Sequence, residues 1–244
     1  MDIEVVWEGN LPLERLKWGK KLSYEYILPP DLDLKRKSNW KIHLQENKSD
    51  YDGNLLFLEK CYNKNNEIIL DVGSIRFSTV VFMTKNKLNV DKGIGMLGTQ
   101  CLIYSPCQKY ILVGERSLSE SYYPGITTVP GGMLELDDLE KAPKEAFMRE
   151  IYEETPFLFQ SNPHFYAIIA GWNNVSVTFL ISATIKEDYN FNPTDIIIGD
   201  KREWKNNLRW AKIEDLKKIP SNRLLDGLYY YQKRISNATE TRNV

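Results

Sequence analysis

Three glutamates on one face of a short helix constrain this chain more than any other feature. Residues 143–155 have the apolar spacing of a helix, and Glu150, Glu153 and Glu154 stand at positions i, i+3 and i+4 within it. Like charges at this spacing repel each other, and acids near the end of a helix also oppose its dipole. Arg149 cannot neutralise all three, whereas a divalent cation that prefers carboxylate oxygens can. The pattern therefore indicates either a Mg²⁺ or Mn²⁺ site or an ordinary solvated helix face.

A glycine pair ahead of this helix favours the metal site. Gly131 and Gly132 follow Pro130 at the end of a short predicted strand, residues 126–129. Glycines at such a position allow the backbone to approach a ligand closely. Both glycines are therefore candidate substrate-binding residues.

The segment of residues 132–157 resembles the Nudix motif, in which a glycine and a first acid precede Arg-Glu-apolar-x-Glu-Glu-x-Gly-apolar. The matching residues are Gly132, Arg149, Glu150, Ile151, Glu153, Glu154 and Phe157. The stretch between the first glycine and the arginine is three residues longer than in the family motif. The first acid is consequently either Asp138 or Glu140. Pro156 replaces the second glycine, and both residue types end helices.

The resemblance implies an α+β fold, a Nudix α/β/α sandwich with a mixed sheet over residues 93–244. A β-rich N-terminal domain over residues 1–92 is expected to precede it and to serve substrate recognition or dimerisation. The implied reaction is hydrolysis of a phosphoanhydride bond in a nucleoside diphosphate that is linked to another moiety. The implied cofactor is Mg²⁺ or Mn²⁺.

The same resemblance implies roles for the acidic residues. The expected metal ligands are Glu150, Glu153 and Glu154, and the expected catalytic residues include Glu153, Glu154 and Arg149, the arginine orienting the cluster through an ion pair. Nudix enzymes often place an extra acid in a later loop. The candidate here is Glu203, with Asp195 and Asp200 as rivals.

Three further residues are candidates for substrate binding. Arg116 follows a predicted strand and is expected to reach a phosphate, while Tyr123 and Trp172 are candidates for stacking on a base or sugar. For each of them a purely structural role remains the alternative.

The substrate is expected to be ADP-ribose or a nucleotide sugar. This expectation comes from the N-terminal region and from Tyr123-Pro124-Gly125, which resemble the branch that hydrolyses UDP-glucose. Hydrolysis of a dinucleoside polyphosphate or of an RNA cap is the alternative reaction. A non-catalytic Nudix-fold ligand sensor is the alternative from another class.

Composition limits the partners. The 244 residues carry a net charge of −1, which predicts no basic surface for nucleic acid, so that a nucleic acid is expected at most as a capped RNA end. No apolar stretch reaches the length of a membrane span, and the three cysteines lack the spacing of a zinc site. We expect a cytoplasmic protein with a small-molecule nucleotide substrate, and a homodimer remains an open option.

Three local patterns also predict secondary structure. Residues 75–82 are rich in β-branched and aromatic side chains and predict a strand. The basic run of residues 35–37 follows two prolines and predicts a solvated loop. Ser221 predicts the N-cap of a final helix that extends to about Ile235.

Overall fold

The computed structural model describes residues 3–48, 50–120, 123–155, 157, 159, 162–171, 175–186, 189–197 and 204–240. A large mixed sheet forms the centre of this part of the molecule. Its strands are β1 (Glu4–Pro12), β2 (Leu16–Glu25), β3 (Asn54–Lys64), β4 (Glu67–Arg76), β5 (Gly95–Tyr104), β6 (Tyr110–Glu115), β7 (Thr127–Thr128), β8 (His164–Ala170), β9 (Ser176–Thr184), β10 (Ile196–Ile197) and β11 (Leu208–Lys212). The longer strands lie in the order β1-β8-β9-β5-β3-β4-β2. The β5–β9 and β2–β4 pairs are parallel, whereas β1–β8, β8–β9 and β3–β4 are antiparallel.

Helices cover both faces of this sheet. They are α1 (Pro30–Glu46), α2 (Phe77–Asn86), α3 (Pro143–Glu154), α4 (Ile213–Leu216) and α5 (Asp226–Glu240). Side chains alternate between the two faces of β5: Cys101 belongs to the core cluster that holds Phe147 of α3, while Leu102 belongs to the one that holds Leu228 of α5. The expected α+β fold, an α/β/α sandwich with a mixed sheet, is confirmed. None of the helices in the described ranges is long and apolar enough to span a bilayer.

The N-terminal region is rich in strands, as expected, and its strands join the same sheet as the rest of the chain. β1 pairs with β8, and β3 pairs with β5. Sheet hydrogen bonds therefore cross residue 92, and the division into domains at that residue stays a prediction.

The prediction of a strand at residues 75–82 is wrong beyond Arg76, because helix α2 begins at Phe77. Its first turn is capped from a distant loop. The backbone N–H of Ser78 donates to Oδ1 of Asp52 (2.9 Å), and that of Phe77 donates to the carbonyl of Gly53 (2.9 Å). These caps satisfy N–H groups that a helix start leaves open, so tertiary contacts override the local β preference.

The prediction of a loop at residues 35–37 is also wrong. These residues lie in α1, which begins at Pro30, where a missing N–H does no harm. Arg36 is buried, and its guanidinium binds Asp33 (2.8 Å) and Asp52 (3.3 Å).

The last helix begins at Asp226 and not near Ser221, which starts a short 3₁₀ turn instead. The backbone N–H of Leu225 donates to the carbonyl of Thr127 in β7 (3.0 Å). This bond to the sheet interrupts the helical path, so that helical geometry starts one residue later.

Candidate active site

The sheet splits where the glycine pair lies. β3 and β5 share two residue pairs and then diverge, and residues 130–135 fill the gap. On one side the N–H of Thr99 in β5 donates to the carbonyl of Gly132 (2.8 Å). On the other side the N–H of Leu56 in β3 donates to the carbonyl of Leu134 (2.8 Å). The glycine turn is thus held between two strands by backbone hydrogen bonds.

Both positions require glycine because neighbouring atoms lie where a Cβ would be. Gly131 has a φ of +154°, and a Cβ there would overlap the carbonyl oxygen of Thr99. A Cβ on Gly132 would overlap the carboxylate of Glu150. The turn therefore brings the backbone directly against the acidic face of α3.

The three glutamates of α3 have different environments. Glu150 is half-buried, and burial, the largest influence, raises the pKa of its carboxyl group to about 7 even though Arg149 lies beside it (2.5 Å). Glu153 is exposed over 58% of its side chain and pairs with Arg149 at 3.1 Å. Glu154 is buried and accepts a hydrogen bond from the N–H of Gly131 (2.8 Å). The carboxylates of this helix face therefore range from buried, at Glu154, to exposed, at Glu153.

Of the two candidates for the first acid of the motif, Asp138 is the one that contacts Arg149. Its carboxylate accepts hydrogen bonds from Nε (2.9 Å) and Nη2 (2.7 Å) of Arg149, while Glu140 is exposed in the 3₁₀ turn Leu136–Glu140. Burial alone would raise the pKa of Asp138, but the bonds from Arg149 and from the N–H of Glu135 hold it below its ordinary value.

The N-terminal strands hold the longer loop that precedes α3. Nε1 of Trp18 donates to the carbonyl of Lys141 (2.8 Å), and Nζ of Lys21 donates to the carbonyl of Leu139 (2.8 Å). Trp18 also packs against Phe147 of α3, with the ring centroids 6.2 Å apart. The longer loop therefore packs against β2, and its Asp138 contacts Arg149.

The carboxylates do not converge on one point in this structure. Within the described ranges, no three His, Cys, Asp or Glu side chains are arranged to hold a metal ion. Arg149 binds Glu150 and Glu153, and the backbone of Gly131 binds Glu154. The donor set nevertheless fits Mg²⁺ or Mn²⁺, because hard carboxylate oxygens lie on one helix face and the raised pKa of Glu150 marks a position where added positive charge is favourable.

A cavity of about 450 Å³ opens beside this face, within the size range of small-molecule sites. Glu150 and Glu153 line it together with Gly131 and Gly132. The N-terminal region supplies another part of the wall through Tyr51, whose hydroxyl donates to Oε1 of Glu135 (2.6 Å). This bond to a carboxylate raises the pKa of Tyr51 to about 12.

Two of the other predicted site residues also line the cavity. Arg116 is buried, and its guanidinium binds Glu120 at 2.8 Å. Tyr123 lies in the cavity wall with a φ of +54°. Asp195 is not among the lining residues. Trp172, Glu203 and Asp200 lie outside the described residues.

Several polar residues of this cavity were missed by the sequence interpretation, among them Gln100 and Asp226. A signal for the first was present, since Gln100 interrupts the apolar run of β5. Asp226 carried no such signal, because an acid at a helix start is common.

No family model and no curated protein matches the chain. Similar solved structures include the MutT protein from Methanosarcina mazei Go1, with 19% identity, a TM-score of 0.43, and coverage of 62% of this chain and 99% of that one. The NUDIX domain of Shewanella oneidensis NrtR complexed with ADP ribose has 16% identity and a TM-score of 0.42 over 60% of this chain and 88% of that one. A C. elegans Ap4A hydrolase has 19% identity and a TM-score of 0.39 over 60% and 98%. Similarities this low do not bear on reaction or substrate. In its glycine-and-helix motif the chain resembles the Nudix hydrolases.

Proposed function

We propose that this protein hydrolyses a phosphoanhydride bond in a nucleoside diphosphate linked to another moiety, with ADP-ribose or a nucleotide sugar as the substrate class. The observation that carries this proposal is the position of Glu150. Its carboxylate lies against the Gly132 backbone in the cavity wall, beside an arginine that Asp138 holds. Burial disfavours the charged form of this carboxylate, and a bound cation would offset that cost.

Glu150, Glu153 and Glu154 would hold Mg²⁺ or Mn²⁺. When bound, the ion would neutralise phosphate charge and lower the pKa of a bound water. Arg149 has two hydrogen bonds to Asp138 that would hold it in place if the metal replaced it at Glu150 and Glu153. It therefore serves to position the acidic face.

Substrate binding and proton abstraction would be carried out by other side chains. Arg116 is oriented by Glu120 and suits a phosphate oxygen, and Tyr123 offers a ring on which a base or sugar can stack. The general base is one of the carboxylates, Glu153 or Glu154, or else Glu203 in the later loop.

The test is phosphate-product release with Mg²⁺ or Mn²⁺ over ADP-ribose, UDP-glucose, NAD, a diadenosine polyphosphate and capped RNA. The Glu153→Gln variant removes one proposed ligand from α3. Glu140→Gln is the matched control, because it makes the same change on an exposed side chain of the preceding turn. We expect turnover of ADP-ribose or the nucleotide sugar, a loss of at least about a hundredfold in Glu153→Gln, and none in the control.

The other outcomes separate the alternatives. Turnover confined to the diadenosine polyphosphate or capped RNA would contradict the proposed substrate class and support the proposed reaction. Tight binding of ADP-ribose without turnover would indicate a non-catalytic ligand sensor and contradict the proposed enzyme activity. Turnover that survives Glu153→Gln unchanged would overturn the metal-ligand assignment.

A further inference from the structure

Two buried polar side chains in the cavity have no role in the proposed reaction. Gln100 lies on β5 and is 5% exposed, and Asp226 lies at the start of α5 and is 2% exposed. Both line the cavity. Among the residues that the structure describes, Oε1 of Gln100 and Oδ2 of Asp226 have no hydrogen-bond partner. Buried polar atoms are nearly always paired, so two such atoms in one cavity point to a ligand that completes them.

Glycines leave space beside both atoms. A Cβ on Gly227 would overlap Oε1 of Gln100. A Cβ on Gly171 would lie 2.7 Å from Oδ2 of Asp226 and 2.9 Å from Oγ of Ser176. Larger residues at these two glycines would press on the polar atoms, so the glycines keep those atoms uncovered.

The surroundings of the two side chains mix polar and apolar groups. Thr178 and Gly98 face each other across the parallel β5–β9 pair, two residues from the register position of Gln100, so all three share a sheet face. Met96 and Leu225 add apolar surface to the cavity wall. Such a mixture suits a planar ring that carries hydrogen-bonding groups on its edge.

We propose that Gln100 and Asp226 form the subsite that binds the nucleobase of the substrate by hydrogen bonds to its edge. The carboxylate accepts from a ring or exocyclic N–H, and the amide of Gln100 binds the neighbouring acceptor or donor. A phosphate does not suit this place, because the carboxylate repels it. The inference rests on the proposed function, which supplies a nucleotide as the ligand.

The burial of the Asp226 carboxyl group agrees with this assignment. Burial raises the pKa of its carboxyl group to about 6. An N–H donor from a base would stabilise the ionised carboxylate and remove the desolvation cost.

The test measures binding, so that it does not depend on turnover. The probes are AMP, GMP, CMP and UMP, with ribose 5-phosphate as the ligand that lacks a base, titrated by calorimetry in the presence of Mg²⁺. The variants are Asp226→Asn and Gln100→Met, which keep side-chain size. Asp215→Asn makes the same chemical change on a side chain of helix α4 that is 48% exposed, and is the matched control.

We expect the wild type to bind one nucleoside monophosphate at least about tenfold more tightly than ribose 5-phosphate. Asp226→Asn and Gln100→Met should each lose about tenfold affinity for that base and leave ribose 5-phosphate binding unchanged. Equal binding of all five probes by the wild type would overturn the proposal. So would wild-type affinities in both variants, or an equal loss for ribose 5-phosphate, which would assign the subsite to the sugar.

The two proposals fail separately. Glu153→Gln should keep the base preference while it loses turnover. A base preference in a protein without turnover would support this subsite and contradict the proposed hydrolase activity. Turnover without a base preference would support the hydrolase activity and contradict the subsite.

Discussion

Asp138 and Arg149 form a two-point ion pair, Nε to Oδ1 at 2.9 Å and Nη2 to Oδ2 at 2.7 Å. The side chain of Asp138 is 2% exposed and that of Arg149 is 26% exposed. Because Arg149 also contacts Glu150 and Glu153, this pair ties the loop before α3 to the acidic face of the helix. It is the contact through which the loop determines where the arginine lies.

Replacing Asp138 by Asn should therefore reduce both stability and activity. The substitution removes the buried carboxylate that binds the half-buried Arg149, and we expect a loss of about 2 kcal/mol in the free energy of unfolding. Urea unfolding measures this loss, and the exposed Glu140→Gln serves as the control that should change it by less than about 0.5 kcal/mol. A larger effect of Glu140→Gln would mean that the acid of the motif has been misassigned.

The same pair has a defined pH dependence. The pKa of Asp138 is lower in the folded than in the unfolded protein, so its contribution is fully present above the unfolded value of about 3.9 and is lost as the pH falls through the lower folded value. The difference in unfolding free energy between wild type and Asp138→Asn should thus be constant from pH 7 to 5 and shrink towards pH 3. A difference that grows on acidification would contradict the assignment.

The two glycines of the turn should respond differently to alanine. In Gly131→Ala the new Cβ meets the backbone oxygen of Thr99, and the residue must keep the positive φ of Gly131. The free energy of unfolding should therefore fall by about 1 to 3 kcal/mol. In Gly132→Ala the Cβ meets the movable carboxylate of Glu150, so stability should change little while turnover falls at least about tenfold. Calorimetric melting beside product release distinguishes the two, and the reverse ranking would refute the geometry.

Asp226→Asn should stabilise the protein at neutral pH. The folded pKa of about 6 lies above the unfolded value of about 3.9, so ionisation costs up to about 3 kcal/mol above pH 6, and this cost disappears as the pH falls towards 4. The gain of the variant over wild type in urea unfolding should be largest at pH 7.5 and vanish near pH 4. A variant that is less stable at pH 7.5 would show that the carboxylate already has a partner in the free protein.

A chain of residues 93–244 alone should not fold to a stable domain. The absence of β1 and β3 leaves the edge of β8 and the first two residues of β5 unpaired, and the loss of Trp18 uncovers Phe147. We expect an aggregating or uncooperatively melting product, with the full chain as the control. A soluble, cooperatively melting fragment would support the predicted boundary at residue 92.

Local chemistry alone determined the acidic face of this protein. The spacing of Glu150, Glu153 and Glu154 and the position of Pro143 are helical signals that act within one or two turns, and α3 extends over Pro143–Glu154 as they indicate. The glycine pair was readable for the same reason, since close backbone approach restricts a position to glycine. The sandwich followed from the family resemblance, and the roles of all the candidate site residues, Glu203 and Trp172 among them, stay predictions.

Tertiary structure alone decided the rest, because the partner of a buried polar group is supplied by elements distant in sequence. Counting along the chain left Asp138 and Glu140 equivalent until folding buried one of them against Arg149. The start of α2 depended on caps from Asp52 and Gly53, against a strand-like local composition. Burial creates the cost of an unpaired polar group, and a sequence shows neither which groups will be buried nor what will face them.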